Sequence, residues 1–257
     1  MRIAALGDVH GNWPALRAVA RDLAAQGVDA VIGLGDYLNT SLGAARVVAW
    51  LRRQPHAYFV CGDNDSWEHY EHFRHLARDD PHGQYRFVNQ LPGRIVLDFQ
   101  GVTILAQHTI AGNVLKERGR GEETFRYLMS RRYIETVVDL VGIDVALFGG
   151  VHRQCLELHA DLAIVHPGSV GARWPAQYAL LELDGAAVHI THRRAPYSRT
   201  AAIREMRAAY REDPGTDTWL ARWLNAEPRS GDRVTPFERV CWSKGASDQA
   251  MCVRSVR

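Results

Sequence analysis

Residues 2–14 read RIAALGDVHGNWP. A short apolar run (2–6) stops at a Gly-Asp pair, a histidine follows two places on, and the chain then turns into a helix. Asn12 stands where a side chain caps that helix, and Pro14 falls in its first turn, where no amide donor is needed. Leu16, Val19 and Leu23 give the helix one apolar face, and Gly27 closes it. This is a strand–turn–helix unit with Asp8 and His10 at the carboxyl end of the strand.

The same unit recurs downstream. AVIGL (30–34) predicts a second strand, ending at Asp36, before a helix over 42–53. AYFVC (57–61) predicts a third, ending in Gly62-Asp63-Asn64-Asp65, before a helical stretch SWEHYEHFRHLARDD. RIVLDFQGVTILAQH (94–108) reads as two strands about a turn at Gln100–Gly101, the second ending at His108. A helix is expected from Glu122 to Val141, followed by strands VALF (145–148), leading to His152, and LAIV (162–165), leading to His166. QYALLELDGAAVHITH (177–192) predicts a hairpin turning at Asp184–Gly185. Apolar runs alternating with amphipathic stretches define an α/β chain. The expected division is one domain over 1–192 and a helical or irregular C-terminal extension over 193–257 that packs on the core. Helices are anticipated at 198–212 and 216–225, and Trp219, Leu220, Trp223 and Leu224 form an amphipathic face for docking or dimerisation.

Composition narrows the classes. Hydrophobic residues make up 46% and charged residues 23% of 257, ordinary values for a globular protein. The net charge is only +2, but from Arg193 onward thirteen Lys/Arg face eight Asp/Glu, about +5 against about −3 before it. A basic tail leaves nucleic acid as a partner to consider, without favouring it. Four cysteines (61, 155, 241 and 252) form no CxxC pair, so they read as thiols in a reducing compartment. A charged turn within the first eight residues and no long apolar run give the expectation of a cytoplasmic protein without a membrane span.

Carboxylates and imidazoles thus arrive at the carboxyl ends of several separate strands, where α/β sheets bind ligands. Mixed oxygen and nitrogen donors suit Mn, Fe or Zn better than Ca²⁺. A second histidine set, His69, His72 and His75 at helical spacing, lacks the completing cysteine or carboxylate of a zinc site, and reads as a polar helix surface beside Trp67 and Tyr70.

The order D-x-H, G-D, G-x-x-D, H, G-x-x-H resembles the calcineurin-like metallophosphoesterases, and more narrowly their small prokaryotic phosphodiesterases, whose signature runs D-x-H, G-D, G-N-x-D, H, G-H-x-H, N-P-G-S. The resemblance implies a two-sheet β-sandwich flanked by helices (αββα layers), with the helical C-terminal extension added. It implies two divalent ions: the first on Asp8, His10, Asp36 and His152, the second on Asp36, Asp63, His108 and the residue at 150. Asp36 would bridge them, with Asn64 and Asp65 completing the catalytic set. Such a pair clamps a phosphate and acidifies a water. The implied activity is hydrolysis of a small phosphoester or nucleotide, diester rather than monoester.

Three positions depart from the signature. Gly150 replaces a ligating histidine, Asp63 replaces an asparagine, and His166 replaces the asparagine of N-P-G-S. The expected compensation is that Asp63 strengthens the second ion's shell, with His166 an accessory near it. The competing expectation is a single ion, or a degenerate relative that binds metal or nucleotide without catalysis. Asn64 stands where some relatives place a histidine that protonates the leaving group, which predicts a preference for good leaving groups. GDYLNTSLG after the second strand lacks the arginine of the related Ser/Thr phosphatases, leaving Arg153 and Arg173 as phosphate contacts. Oligomeric state is not legible.

Overall fold

The computed structural model describes residues 1–38, 43–66, 80, 82–109, 127, 129–185, 187–212, 238–243 and 252–255. Strands β1 (Arg2–Leu6), β2 (Ala30–Gly33) and β3 (Ala57–Phe59) run parallel in one sheet. The hairpin β9 (Ala176–Asp184) and β10 (Ala187–Ala195) joins β1 antiparallel, and β11 (Glu238–Ser243) and β12 (Cys252–Ser255) extend it. The order is β12-β11-β10-β9-β1-β2-β3. The second sheet has the order β4-β5-β6-β8-β7, from β4 (Arg94–Phe99), β5 (Val102–Gln107), β6 (Val145–Phe148), β7 (Gln154–Leu158) and β8 (Ala163–Pro167).

The layers follow from burial. Ile3, Ala5, Ile32 and Leu34 of the first sheet meet Ile104, Ala106, Val145, Leu147 and Val165 of the second, so the sheets pack face to face. Helix α1 (Trp13–Gln26) sets Leu16, Val19 and Leu23 against the outer face of the first sheet, beside Val47, Val48 and Leu51 of α2 (Ala44–Leu51). Ile134 of α4 (Arg131–Ile134), with Val138 and Leu140, covers Leu105, Phe148 and Ile164 on the far side of the second sheet. The result is the αββα sandwich expected.

Local signals read from the sequence hold where they were strongest. The Asn12 side chain accepts from the Ala15 amide, a cap worth about 1 kcal/mol, and Gly27 ends α1 with φ 61°. Gln100 and Gly101 turn the first hairpin, both at positive φ, and Gly185 turns the second.

Several elements went unread. β7 is half-buried along its whole length, so it carries no alternation. The short helix α3 (Gln84–Asn89) was not anticipated. The expected helix from Glu122 is present among the described residues as the single turn of α4. In the tail, α5 (Arg199–Glu212) is present, but β11 and β12 correct the expectation of a last stretch without regular structure. Ile190 pairs with Val240 and Val188 with Trp242; Trp242 joins the inter-sheet core, and Val240 is buried. The helix expected after Ser66 with its three histidines, Trp67 and Tyr70, and the face from Trp219 to Leu224, lie outside the described residues.

Candidate metal centre

Six strands point their carboxyl ends to one edge of the sandwich: β1, β2 and β3 of one sheet, and β5, β6 and β8, parallel to one another, of the other. The loops that leave them bring the titratable residues together. Asp8, His10, Asp36 and His152 form one group, and Asp36, Asp63 and His108 a second; within each, the donor atoms lie within 4.8 Å of one another. All except Asp63 are buried. Each of the six predicted ligand positions therefore falls in one of the two groups, and Asp36 in both.

The backbone is bent to achieve this. Asp8, His10, Asp36 and His152 all have φ between 48° and 55°, a region that ordinary side chains avoid. Such strain persists where the surroundings over-determine it, and it gathers at functional sites. The surroundings here are backbone hydrogen bonds: the Asp8 amide donates to Gly35, and the His10 amide to Asp36. A Cβ at Gly62 would collide with the Asp36 backbone, so the third strand's loop approaches the second only as glycine.

Distances describe donor sets converging on common points. His10 Nε2 lies 2.9 Å from His152 Nε2, and His152 Nε2 lies 3.0 Å from Asp8 Oδ1. His108 Nε2 is 2.6 Å from Asp63 Oδ1 and 3.3 Å from Asp36 Oδ1. Asp8 Oδ1, Asp63 Oδ1 and His108 Nε2 are nevertheless shielded from solvent without hydrogen-bond geometry to any partner among the described residues. Buried polar atoms left in that condition call for an ion. His108 Nδ1 donates to the Leu34 carbonyl at 2.5 Å, which directs Nε2 into the site.

Charge balance leads to the same conclusion. Burial would raise the Asp36 carboxyl, but His108, His10 and the Asn64 amide hold it well below the usual range. Burial would also raise Asp8, yet His152 draws it down. Burial lowers His10 to about 4, with the neighbouring His152 adding to the effect. Burial would lower His108 likewise, but Asp36 and Asp63 lift it well above its ordinary value. Asp8 and Asp36 are thus held as buried carboxylates, and divalent cations bound there would take over the counter-charge that His108 supplies.

Surrounding residues fix the carboxylates. Asn64 donates its backbone amide to Asp36 Oδ1 (2.8 Å) and its side-chain amide to Oδ2 (2.5 Å). Asp65 lies outside both groups. Its carboxylate accepts from the amides of Tyr37, Leu38 and Gly62, clamping the second and third loops together. Burial, reinforced by the charge of Asp36, pushes it up to about 7 against those three donors. Gly150, with φ 74°, donates its amide to Asp8 Oδ2 at 3.0 Å.

His166 is buried against Phe148 and belongs to neither group among the described residues. Arg153 is half-buried beside His152. Arg173 reaches back to donate Nε to the His152 carbonyl at 2.6 Å. Two anchors were missed. Ser169 Oγ donates to the Asp8 carbonyl, and Asn12 Nδ2 to the Gly171 carbonyl and the Tyr197 hydroxyl. Asn12 was legible only as a cap, and nothing in the local pattern signals its second role.

An αββα sandwich with buried Asp/His donor groups at its strand ends is the architecture of a metal-dependent hydrolase. The model of the calcineurin-like phosphoesterase superfamily domain matches residues 1–186, and the chain belongs to that family. Among solved structures, a metallophosphoesterase from Sphaerobacter thermophilus has a TM-score of 0.58 at 20% identity, covering 88% of this chain and 99% of its own. A hypothetical protein from Pyrococcus horikoshii gives 0.61 at 14%, with 87% and 97% covered. Vps29 from Chaetomium thermophilum gives 0.53 at 15%, with 95% and 98% covered. At these identities the likenesses establish the fold. None of the curated proteins compared with the chain matches it. No described helix is long and apolar enough to cross a membrane.

Proposed function

We propose that the protein is a phosphodiesterase that works with two divalent ions, manganese among the candidates, sharing Asp36. The observation that carries this reading is the division of that carboxylate: Oδ1 faces His108 at 3.3 Å and Oδ2 faces His10 at 3.9 Å. Asp8, His10 and His152 would complete one shell, and Asp63 and His108 the other. Bound there, the ions would supply Lewis-acid stabilisation of the phosphoryl group and acidify the attacking water. Asn64 holds both oxygens of Asp36 in place, and Asp65 holds the loop that carries it. Arg173 and Arg153, at the His152 end, would be the phosphate contacts. The lack of an arginine directly after Asp36 argues for a diester over a dianionic monoester. The thiols of Cys61 and Cys241, in no disulfide among the described residues, support a cytoplasmic setting.

A second reading, a non-catalytic metal- or nucleotide-binding relative, draws on Gly150, which leaves the second group with three residues among those described. Elemental analysis of protein prepared without chelator, together with manganese-stimulated cleavage of bis(p-nitrophenyl) phosphate, separates the two. Two ions per chain and turnover abolished by Asp36→Ala support the enzyme. One ion and no turnover support the binding relative.

A further inference from the structure

The loop after β8 is fastened to the site along its length. Ser169 Oγ and the Gly171 amide both reach the Asp8 carbonyl, at 2.8 and 2.9 Å. Arg173 then bonds the His152 carbonyl. The next residue, Trp174, is 39% exposed, one of few large apolar side chains the described protein leaves open. It is also held rigidly. Its indole Nε1 donates to the Tyr197 carbonyl at 2.9 Å, while the Tyr197 hydroxyl donates to the Arg173 carbonyl at 2.9 Å and accepts from Asn12. The Arg199 guanidinium lies 5.6 Å from the indole ring centroid.

An exposed aromatic ring that merely covered core would need no such fixing. A ring locked through its own N–H, with the Arg199 guanidinium beside it and one residue from a side chain that touches a candidate ligand, has the makings of a base-stacking surface. The geometry points to Trp174 as the platform for the nucleobase of a nucleotide ester whose phosphate lies at the Asp36 centre. This rests on the phosphodiesterase reading above and names its substrate class. Arg173, the residue before Trp174, bonds the His152 carbonyl and so ties the ring's backbone to the donor group, and Arg199 adds positive charge beside the ring. Because the platform is preformed, its contribution falls on binding of the nucleoside part and shows in KM.

The test compares two diesters with the same leaving group on the full-length, manganese-loaded protein: the p-nitrophenyl ester of thymidine 5′-phosphate and methyl p-nitrophenyl phosphate. Wild type should favour the nucleoside ester in kcat/KM by about tenfold, mainly through KM. Trp174→Leu, which keeps apolar bulk without an aromatic face, should bring the ratio close to one, and Trp174→Phe should retain most of it. A ratio near one in wild type, or one unmoved by Trp174→Leu, overturns the platform. Calorimetric titration with thymidine 5′-monophosphate and methyl phosphate reads the same preference without turnover. No cleavage of either ester would defeat the phosphodiesterase reading, yet tighter thymidine 5′-monophosphate binding that Trp174→Leu abolishes would still support the platform. Equal binding of the two phosphates would overturn it.

Discussion

His10 Nε2 and His152 Nε2 face each other across 2.9 Å, their rings edge to face with centroids 4.8 Å apart. The residues come from opposite sheets, 142 positions apart in the chain. Two imidazole nitrogens about 3 Å apart match neighbouring donors about 2.1 Å from one shared cation. His152→Ala should therefore remove close to one ion per chain by elemental analysis. It should also lower bis(p-nitrophenyl) phosphate turnover by at least about a hundredfold.

Asp63 tests the other half of the centre. Its carboxylate stands 2.6 Å from His108 Nε2 and offers a strong oxygen donor to a shell that has no histidine at 150. Asp63→Asn restores the family's amide, and it should weaken the second ion at least about tenfold in a metal titration while sparing the first. Unchanged metal content and rate would mean that Asp63 compensates for nothing.

Asn64 has no acidic proton to give, and its amide is engaged with Asp36. The alcohol must then leave with little assistance, so aryl diesters should be cleaved far faster than alkyl diesters. A steep dependence of log kcat on leaving-group pKa is the expected result. Matched aryl and alkyl rates would show that another acid serves.

Asp65 is buried with three backbone donors on its carboxylate. Asp65→Ala orphans all three, and should cost about 3 kcal/mol or more of stability in urea unfolding, even with the metals chelated.

The His166 ring is buried and pushed down to about 3, chiefly by burial and then by His192. Its ordinary value is 6.5. As pH falls below 6.5 the unfolded chain takes up a proton that the folded chain refuses. This histidine's contribution is thus intact above 6.5 and lost on acidification towards 3, at up to about 1.4 kcal/mol per pH unit. Urea midpoints of chelated protein should drop from pH 7 to pH 5, and His166→Asn should flatten the drop. A parallel curve for the variant would refute the assignment.

The alternation of apolar runs and helical faces, with an aspartate or histidine after each run, was enough to read the α/β class and to bring those residues to the strand ends; the choice of six as candidate ligands came from the resemblance to the family. Those signals are local: a strand declares itself by its apolar residues, α1 by its cap at Asn12 and stop at Gly27, and the hairpins by glycine at their turns. β7 escaped because an evenly half-buried strand has no period, and β11 because Trp242 enters the inter-sheet core only by pairing with β10.

The sequence by itself thus determined which residue types arrive at the strand ends, since hydrophobic period and turn chemistry act over a few residues. Only the tertiary structure decided their relations: that Asp36 turns one oxygen to each donor group, that Asp65 faces backbone amides instead, and that His166 lies against Phe148. Those outcomes depend on how two sheets pack and on backbone forced to positive φ at Asp8, His10, Asp36 and His152. Such strain holds only when contacts from distant parts of the chain impose it, and no local pattern records those contacts.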